Sequence, residues 1–289
     1  MRFIAETMTI PFLKLHGAKN DFLITMAENA PGIGFAEFAK SICHRHTGVG
    51  ADGWMLLNST PGTDSSGTAW DASLRLFNSD GSEPELSGNG TRCAAAVLSH
   101  ASPDKTEFRI RTGAGIKHLR LLSRKGDEWM FEMNMGQIAV IDAHAEVQGR
   151  DAVLINAGNP QCVFPVENFD FDWRTSGAAV ECDTRFPHRT NVSFLLPIDE
   201  HTIDVRFWER GAGETNSSGT GSTGAAVAAL ARDLVKNPVT VITPAGRLEL
   251  RTEGIYTYLT GPAEWIATGD YQYSNPMPRD SNSMLQGEN

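Results

Sequence analysis

The chain has no apolar run approaching the roughly 20 residues that a membrane-spanning helix needs, so nothing in it calls for a membrane partner. Basic residues are not in excess either: 25 Lys and Arg stand against 35 Asp and Glu, a formal net charge of −10. Nucleic-acid surfaces are dominated by cationic contacts to phosphates, so this balance argues against such a partner. Cysteine is sparse. The residues Cys43, Cys93, Cys162 and Cys182 form no Cys-x-x-Cys pair and no zinc spacing, which predicts mostly buried free thiols. Residues Met1 to Thr7 lack the apolar core of a secretory signal, which points to the cytoplasm, and Met8 would serve equally well as a start. With 289 residues, 40% of them hydrophobic, there is apolar surface for two cored lobes.

What is present is a segment written twice. Ser87 to Leu98 and Ser218 to Ala229 share five of twelve aligned positions, and each runs from a serine through glycines into an alanine-rich apolar stretch. Each reads as a loop feeding a buried helix, with the serine as its N-cap. Free N–H groups and the positive end of the helix dipole gather there, a setting for a carboxylate or phosphate. The repeat predicts two related lobes, each offering one helix start to a shared cleft.

Alternating apolar residues predict strands over Phe12–Leu15 and Phe22–Ile24 around a polar loop, then over Trp54–Leu57, Ala72–Phe77, Phe108–Thr112, His118–Leu122 and Trp129–Met133. Helical spacing covers Phe35 to His46. The second half repeats strand, loop and strand over Ala152–Phe164, places a strand pair around Thr190–Val192, and continues through Thr202–Glu209 to closing strands at Val239–Thr243, Arg247–Arg251 and Ile255–Leu259. Tyr271 to Asn289 reads as a frayed polar tail. The expected architecture is α+β: two pseudo-symmetric lobes at 8–135 and 136–270, each a mixed or antiparallel sheet wrapped round a central helix, with the final strands crossing back to the first lobe.

Gly219 to Gly224 satisfies Gly-x-Gly-x-x-Gly, yet no strand stands directly before it and no acidic residue about 20 positions on, so it does not carry dinucleotide binding. His44 and His46 lack a convergent third ligand, so no metal is expected. More telling are polar residues beside the two helix starts: Asn20, Asn78, Asn159, Asn191 and the pair Glu209–Arg210. Asparagines in loops commonly form turns. Four of them across both halves, with an arginine suited to a carboxylate, point to an amino-acid substrate.

The stretches Phe12-Leu13-Lys14-Leu15-His16-Gly17-Ala18-Lys19-Asn20-Asp21-Phe22, Phe77 to Glu83, Gly88 to Cys93, Gly158-Asn159-Pro160 and Trp208 to Thr215 through Gly221 resemble diaminopimelate epimerase. They occur in order from Phe12 to about Gly261. The resemblance implies an isomerase of lysine and peptidoglycan precursors that uses neither pyridoxal phosphate nor metal, and it allows a homodimer. It implies two cysteines facing each other across a cleft, one removing an α-proton while the other supplies a proton to the opposite face. Helix starts would bind the α-carboxylate. Asn78, Asn159, Asn191 and Arg210 would hold the distal end of the substrate, with Asn20, Gly88, Asn89, Gly219 and Thr220 around the reacting centre.

Three positions depart from that pattern. Ser87 and Ser218 stand where the resemblance implies the cysteines, Lys19 where it implies glycine, and Gln161 where it implies histidine. Three functions follow as expectations: an epimerase in which the serines act as bases or replace cysteines, an isomerase relying on carboxylates such as Asp80, Glu83, Glu85 or Glu214, and an amino-acid binder without chemistry.

Overall fold

The computed structural model describes residues 7–32 and 34–274. Strands β1 (Thr7–Gly17) and β2 (Asn20–Met26) form an antiparallel hairpin, and α1 (Phe35–Cys43) leads to β3 (Gly53–Asn58), parallel to β2. A small ribbon of β4 (Gly62–Thr63) and β5 (Ala69–Trp70) precedes β6 (Ala72–Asn78), antiparallel to β3. Helix α2 (Gly88–Ala101) then crosses to β7 (Glu107–Thr112), parallel to β6, and β8 (Gly115–Lys125) and β9 (Glu128–Gly136) follow antiparallel.

After β10 (Ala139–Val147) the same pairing senses recur. Strands β11 (Arg150–Asn156) and β12 (Pro160–Pro165) are antiparallel, α3 (Trp173–Glu181) leads to β13 (Asn191–Asp199), parallel to β12, and β14 (Thr202–Glu209) is antiparallel to β13. Past β15 (Gly213–Thr215), helix α4 (Gly219–Ala231) crosses to β16 (Val239–Thr243), parallel to β14, and β17 (Gly246–Glu253) and β18 (Tyr256–Ser274) follow antiparallel. The segment written twice is therefore the crossover helix of each half. The long β18 also pairs with β9 and β1, which joins the two runs of strands into one sheet path.

Both crossover helices are buried nearly all round, as helices without a polar face must be. Ala94–Ala96 and Ala225–Ala229 belong to one apolar cluster that also takes in Leu15, Phe131, Val205 and Leu250. Small side chains let the sheet close tightly on these helices. Cys43, Cys93 and Cys162 are buried and Cys182 is exposed, all four free.

Three local expectations are corrected. Helix α1 ends at Cys43, and the His44 ring accepts hydrogen bonds from the backbone N–H groups of His46 and Thr47, so these residues form a turn rather than more helix. Thr190–Val192 is the entry to one strand, β13, not the junction of two. The residues before it include α3, whose N-cap Asp172 accepts from Thr175 N. Finally, Tyr271–Ser274 are strand: Tyr273 is buried against Phe38, and the Tyr271 hydroxyl lies 2.7 Å from Ser41 Oγ. The rest of the expected tail, 275–289, and the N-terminal residues 1–6 lie outside the described residues.

The β1–β2 turn holds Ala18 at φ 50° and Lys19 at φ 60°, left-handed conformations at both central positions. Lys19 is exposed. A side chain costs about 1 kcal/mol in this conformation. Lys19→Gly is therefore expected to raise stability by about 1 kcal/mol, or about 2 °C in the thermal midpoint of a chain this size. An unchanged or lowered midpoint in thermal unfolding would show that the lysine is compensated elsewhere.

Candidate active site

The two helix starts face one another. A Cβ built on Gly219 would lie 3.3 Å from the Gly88 Cα, so the first residues of α2 and α4 meet nearly backbone to backbone. Ser87 and Ser218 are their N-caps with matching geometry, φ −127° and ψ 121° against φ −133° and ψ 122°. Each hydroxyl oxygen accepts from the backbone N–H three residues on, Gly90 or Gly221, at 3.1 Å. Two positive dipole ends thus converge on one place.

The serines differ in their second partners. Ser218 Oγ donates to Glu209 Oε2 at 2.9 Å, and Thr215 Oγ1 donates to the other carboxylate oxygen at 2.6 Å. Glu209 keeps partial exposure as a residue, but its carboxyl end is enclosed, and no cation is paired with it among the described residues. Burial pushes its pKa above the ordinary value, outweighing the two hydroxyl donors. Ser87 borders a small cleft lined by Met55, Leu76, Glu85 and Thr91, and among the described residues no carboxylate is hydrogen-bonded to its hydroxyl.

Beside α2, Asn89 is 2% exposed and its Nδ2 donates to Asn20 Oδ1 and to Ser217 Oγ, each at 3.3 Å. Asn20 in turn donates to Asp52 at 2.8 Å, and Arg45 bridges Asp52 and Asp21. Burial works to raise the Asp21 pKa, but hydrogen bonds from Arg45 and Lys14 outweigh it and hold the carboxylate below its ordinary value. The β1–β2 turn is in this way pinned over the start of α2. Beside α4, Asn159 donates to Thr220 Oγ1 at 3.4 Å, while Gln161 Nε2 donates to Asn159 Oδ1 at 2.7 Å and to Thr220 Oγ1 at 3.3 Å. Asn191 Oδ1 accepts from Arg210 N at 3.0 Å, and its Nδ2 donates to the Pro160 carbonyl.

The structure therefore brings Ser87, Gly88, Asn89, Asn20, Ser218, Gly219, Thr220, Asn159 and Glu209 about the paired helix starts, with Asn191 and Arg210 linked at their flank. Asn78 closes its own turn, donating to Ser82 Oγ at 2.9 Å, and makes no hydrogen bond to the others. Arg210 does not present a free bidentate fork: it is exposed and donates to the His188 carbonyl at 3.1 Å. Sequence reasoning passed over Ser217 and Arg92. A lone arginine inside an alanine-rich buried helix was the available signal for the second. Burial pushes the Cys43, Cys93 and Cys162 thiols up to about 12, so none is a thiolate at neutral pH.

A family model described as diaminopimelate epimerase matches residues 12–141 and 153–266. Among curated proteins, the diaminopimelate epimerase of Pelotomaculum thermopropionicum is 35% identical over 91% of this chain and 99% of its own length. That of Moorella thermoacetica is 36% identical over 90% of this chain and 98% of its own. Among solved structures, a hydroxyproline epimerase from Agrobacterium vitis superposes with a TM-score of 0.70 at 16% identity, covering 96% of this chain and 95% of that one. A PhzF-family phenazine biosynthesis protein from Bacillus anthracis superposes with a TM-score of 0.69 at 16% identity, covering 91% of this chain and 98% of that one. These two likenesses describe the fold.

Proposed function

Because the chain belongs to the diaminopimelate epimerase family, we propose that its paired helix starts bind LL- and meso-diaminopimelate and that the site exchanges the α-proton between faces. It is by family an isomerase of amino acids. Inverting an α-carbon needs a proton acceptor on one face and a donor on the other, with the carboxylate stabilised as charge moves onto it. Ser87 and Ser218 take the two faces. The N–H groups of α2 and α4, with Asn20, Asn89, Gly88, Gly219 and Thr220, hold the α-carboxylate end. Asn78, Asn159, Asn191 and Arg210 hold the distal end, for which Arg210 would exchange its present carbonyl partner for a carboxylate. Glu209 takes the Ser218 proton when Ser218 Oγ accepts the α-proton, so the serine relays to a buried carboxylate whose raised pKa suits proton transfer. The observation that supports this most is the near contact of Gly88 and Gly219, which brings the two matched serine caps to one pair of helix starts.

Titration calorimetry with this protein tests the substrate independently of turnover. Diaminopimelate is expected to bind, and lysine, which lacks the distal carboxylate, to bind at least about 100-fold more weakly because it leaves the polar groups of the distal end unpaired. Equal affinity for the two would remove diaminopimelate as the substrate.

A further inference from the structure

Arg92 lies in the second turn of α2 with no exposed surface and no ion pair among the described residues. Its Nε donates to the Pro262 carbonyl at 3.1 Å, and one terminal nitrogen donates to Asn89 Oδ1 at 2.6 Å. The other terminal nitrogen has no partner among the described residues. The guanidinium rests on the backbone of β18, where a Cβ on Gly261 would come within 2.9 Å of its Cζ and force the guanidinium to shift. Burial lowers the Arg92 pKa to about 10, which still leaves it charged at neutral pH. An unpaired buried cation is costly to a fold, and an apolar side chain would fill the same space without that cost.

What the arginine supplies is polarity of a single sense. A guanidinium only donates, so the Asn89 amide can meet it only through Oδ1, and Nδ2 is left facing Asn20 and Ser217. Asn20 sits on the β1–β2 turn and Ser217 directly precedes the cap of α4. The amide therefore spans the two helix starts as a donor.

We propose that Arg92 is a positioning residue that fixes the Asn89 amide with Nδ2 toward the paired helix starts, where it donates to the carboxylate of the substrate in exchange for one of its present acceptors, Asn20 or Ser217. This rests on the function proposed above, and the test separates the two. In the 15N-labelled protein without ligand, the Asn89 side-chain amide pair, assigned with Asn89→Ala, is expected to be protected from solvent exchange. Arg92→Met, which has no donor, should lower that protection at least tenfold, and Arg92→Lys, which keeps one, should retain it. Unchanged protection in the Met variant, or its loss in the Lys variant, overturns the proposal, and the Lys arm still decides if the Met variant does not fold.

The second arm uses the Ser87→Cys, Ser218→Cys background. There Arg92→Met should raise KM for diaminopimelate about tenfold as well as lowering kcat, with Arg92→Lys restoring most of both. A fall in kcat alone is what a loss of folded protein would give, and it counts against positioning. If that background is itself inert on diaminopimelate, the proposed function fails, and the amide measurement alone decides the role of Arg92.

Discussion

Converting Ser87 and Ser218 together to cysteine is expected to raise the rate of α-proton exchange on diaminopimelate by about five orders of magnitude. A thiol titrates near 8.5, and a helix start lowers it further. A serine hydroxyl lies roughly five units higher, so forming the base costs about 7 kcal/mol more, or about 10⁵ in rate. The structure favours the exchange because both positions are N-caps of matching geometry, where sulfur can still accept from Gly90 or Gly221 while the dipoles of α2 and α4 stabilise a thiolate. The three buried thiols cannot stand in, since Cys43, Cys93 and Cys162 are pushed up to about 12. Proton NMR in deuterated water reads the result. Each single cysteine variant should exchange the proton of one stereoisomer faster than it inverts the centre, because only one face has then gained an easy base. Should the double variant leave the α-proton untouched, diaminopimelate is not the substrate.

Much of the fold and of this site was legible because local chemistry and tertiary role coincide in them. A serine before glycines and an alanine run must be an N-cap on a buried helix, and its repetition fixed two crossovers whose flanking strands pair in the same senses. Where an element takes its character from its neighbours, the sequence was silent. Helix α3 buries only Trp173, Gly177, Val180 and Glu181, too few apolar positions to announce a helix, and Glu181 is held by Trp208 Nε1 and Gly211 N from distant parts of the chain. Asn191 looked like a loop residue and is the first residue of a strand, its amide engaged by Arg210 N and the Pro160 carbonyl. The bond between Ser218 and Glu209 spans nine residues across a tight return from β14 through β15 to α4, and no periodicity encodes it. Arg92 and Asn89 belong together through helix spacing alone, at i and i+3.

Glu209→Gln is expected to suppress whatever exchange the Ser/Ser site supports while making the protein more stable at neutral pH. If the cysteine enzyme turns over at about 10 s⁻¹, a site five orders slower exchanges at about 10⁻⁴ s⁻¹, within hours when protein and substrate are comparable in concentration. That slow rate relies on Ser218 passing its proton to Glu209. Glutamine preserves the shape and can still accept from Thr215 or Ser218, but it cannot take a proton, and a lost general base costs about 10² to 10⁴ more. The stability change has the opposite sign. Burial holds the Glu209 pKa above 4.5, so the folded chain favours the neutral carboxyl. Its contribution to stability is then fully present below pH 4.5 and lost as pH rises through the raised value, because ionising an enclosed, uncompensated carboxyl works against folding. Glutamine stays neutral throughout. Thermal midpoints of parent and variant should therefore agree near pH 4 and separate in favour of the variant toward pH 8, along with the loss of exchange. A variant that is less stable at pH 8 would mean that the ionised carboxylate holds Thr215 and Ser218 in place more than it strains the fold, and its role would then be to orient the serine rather than to take its proton.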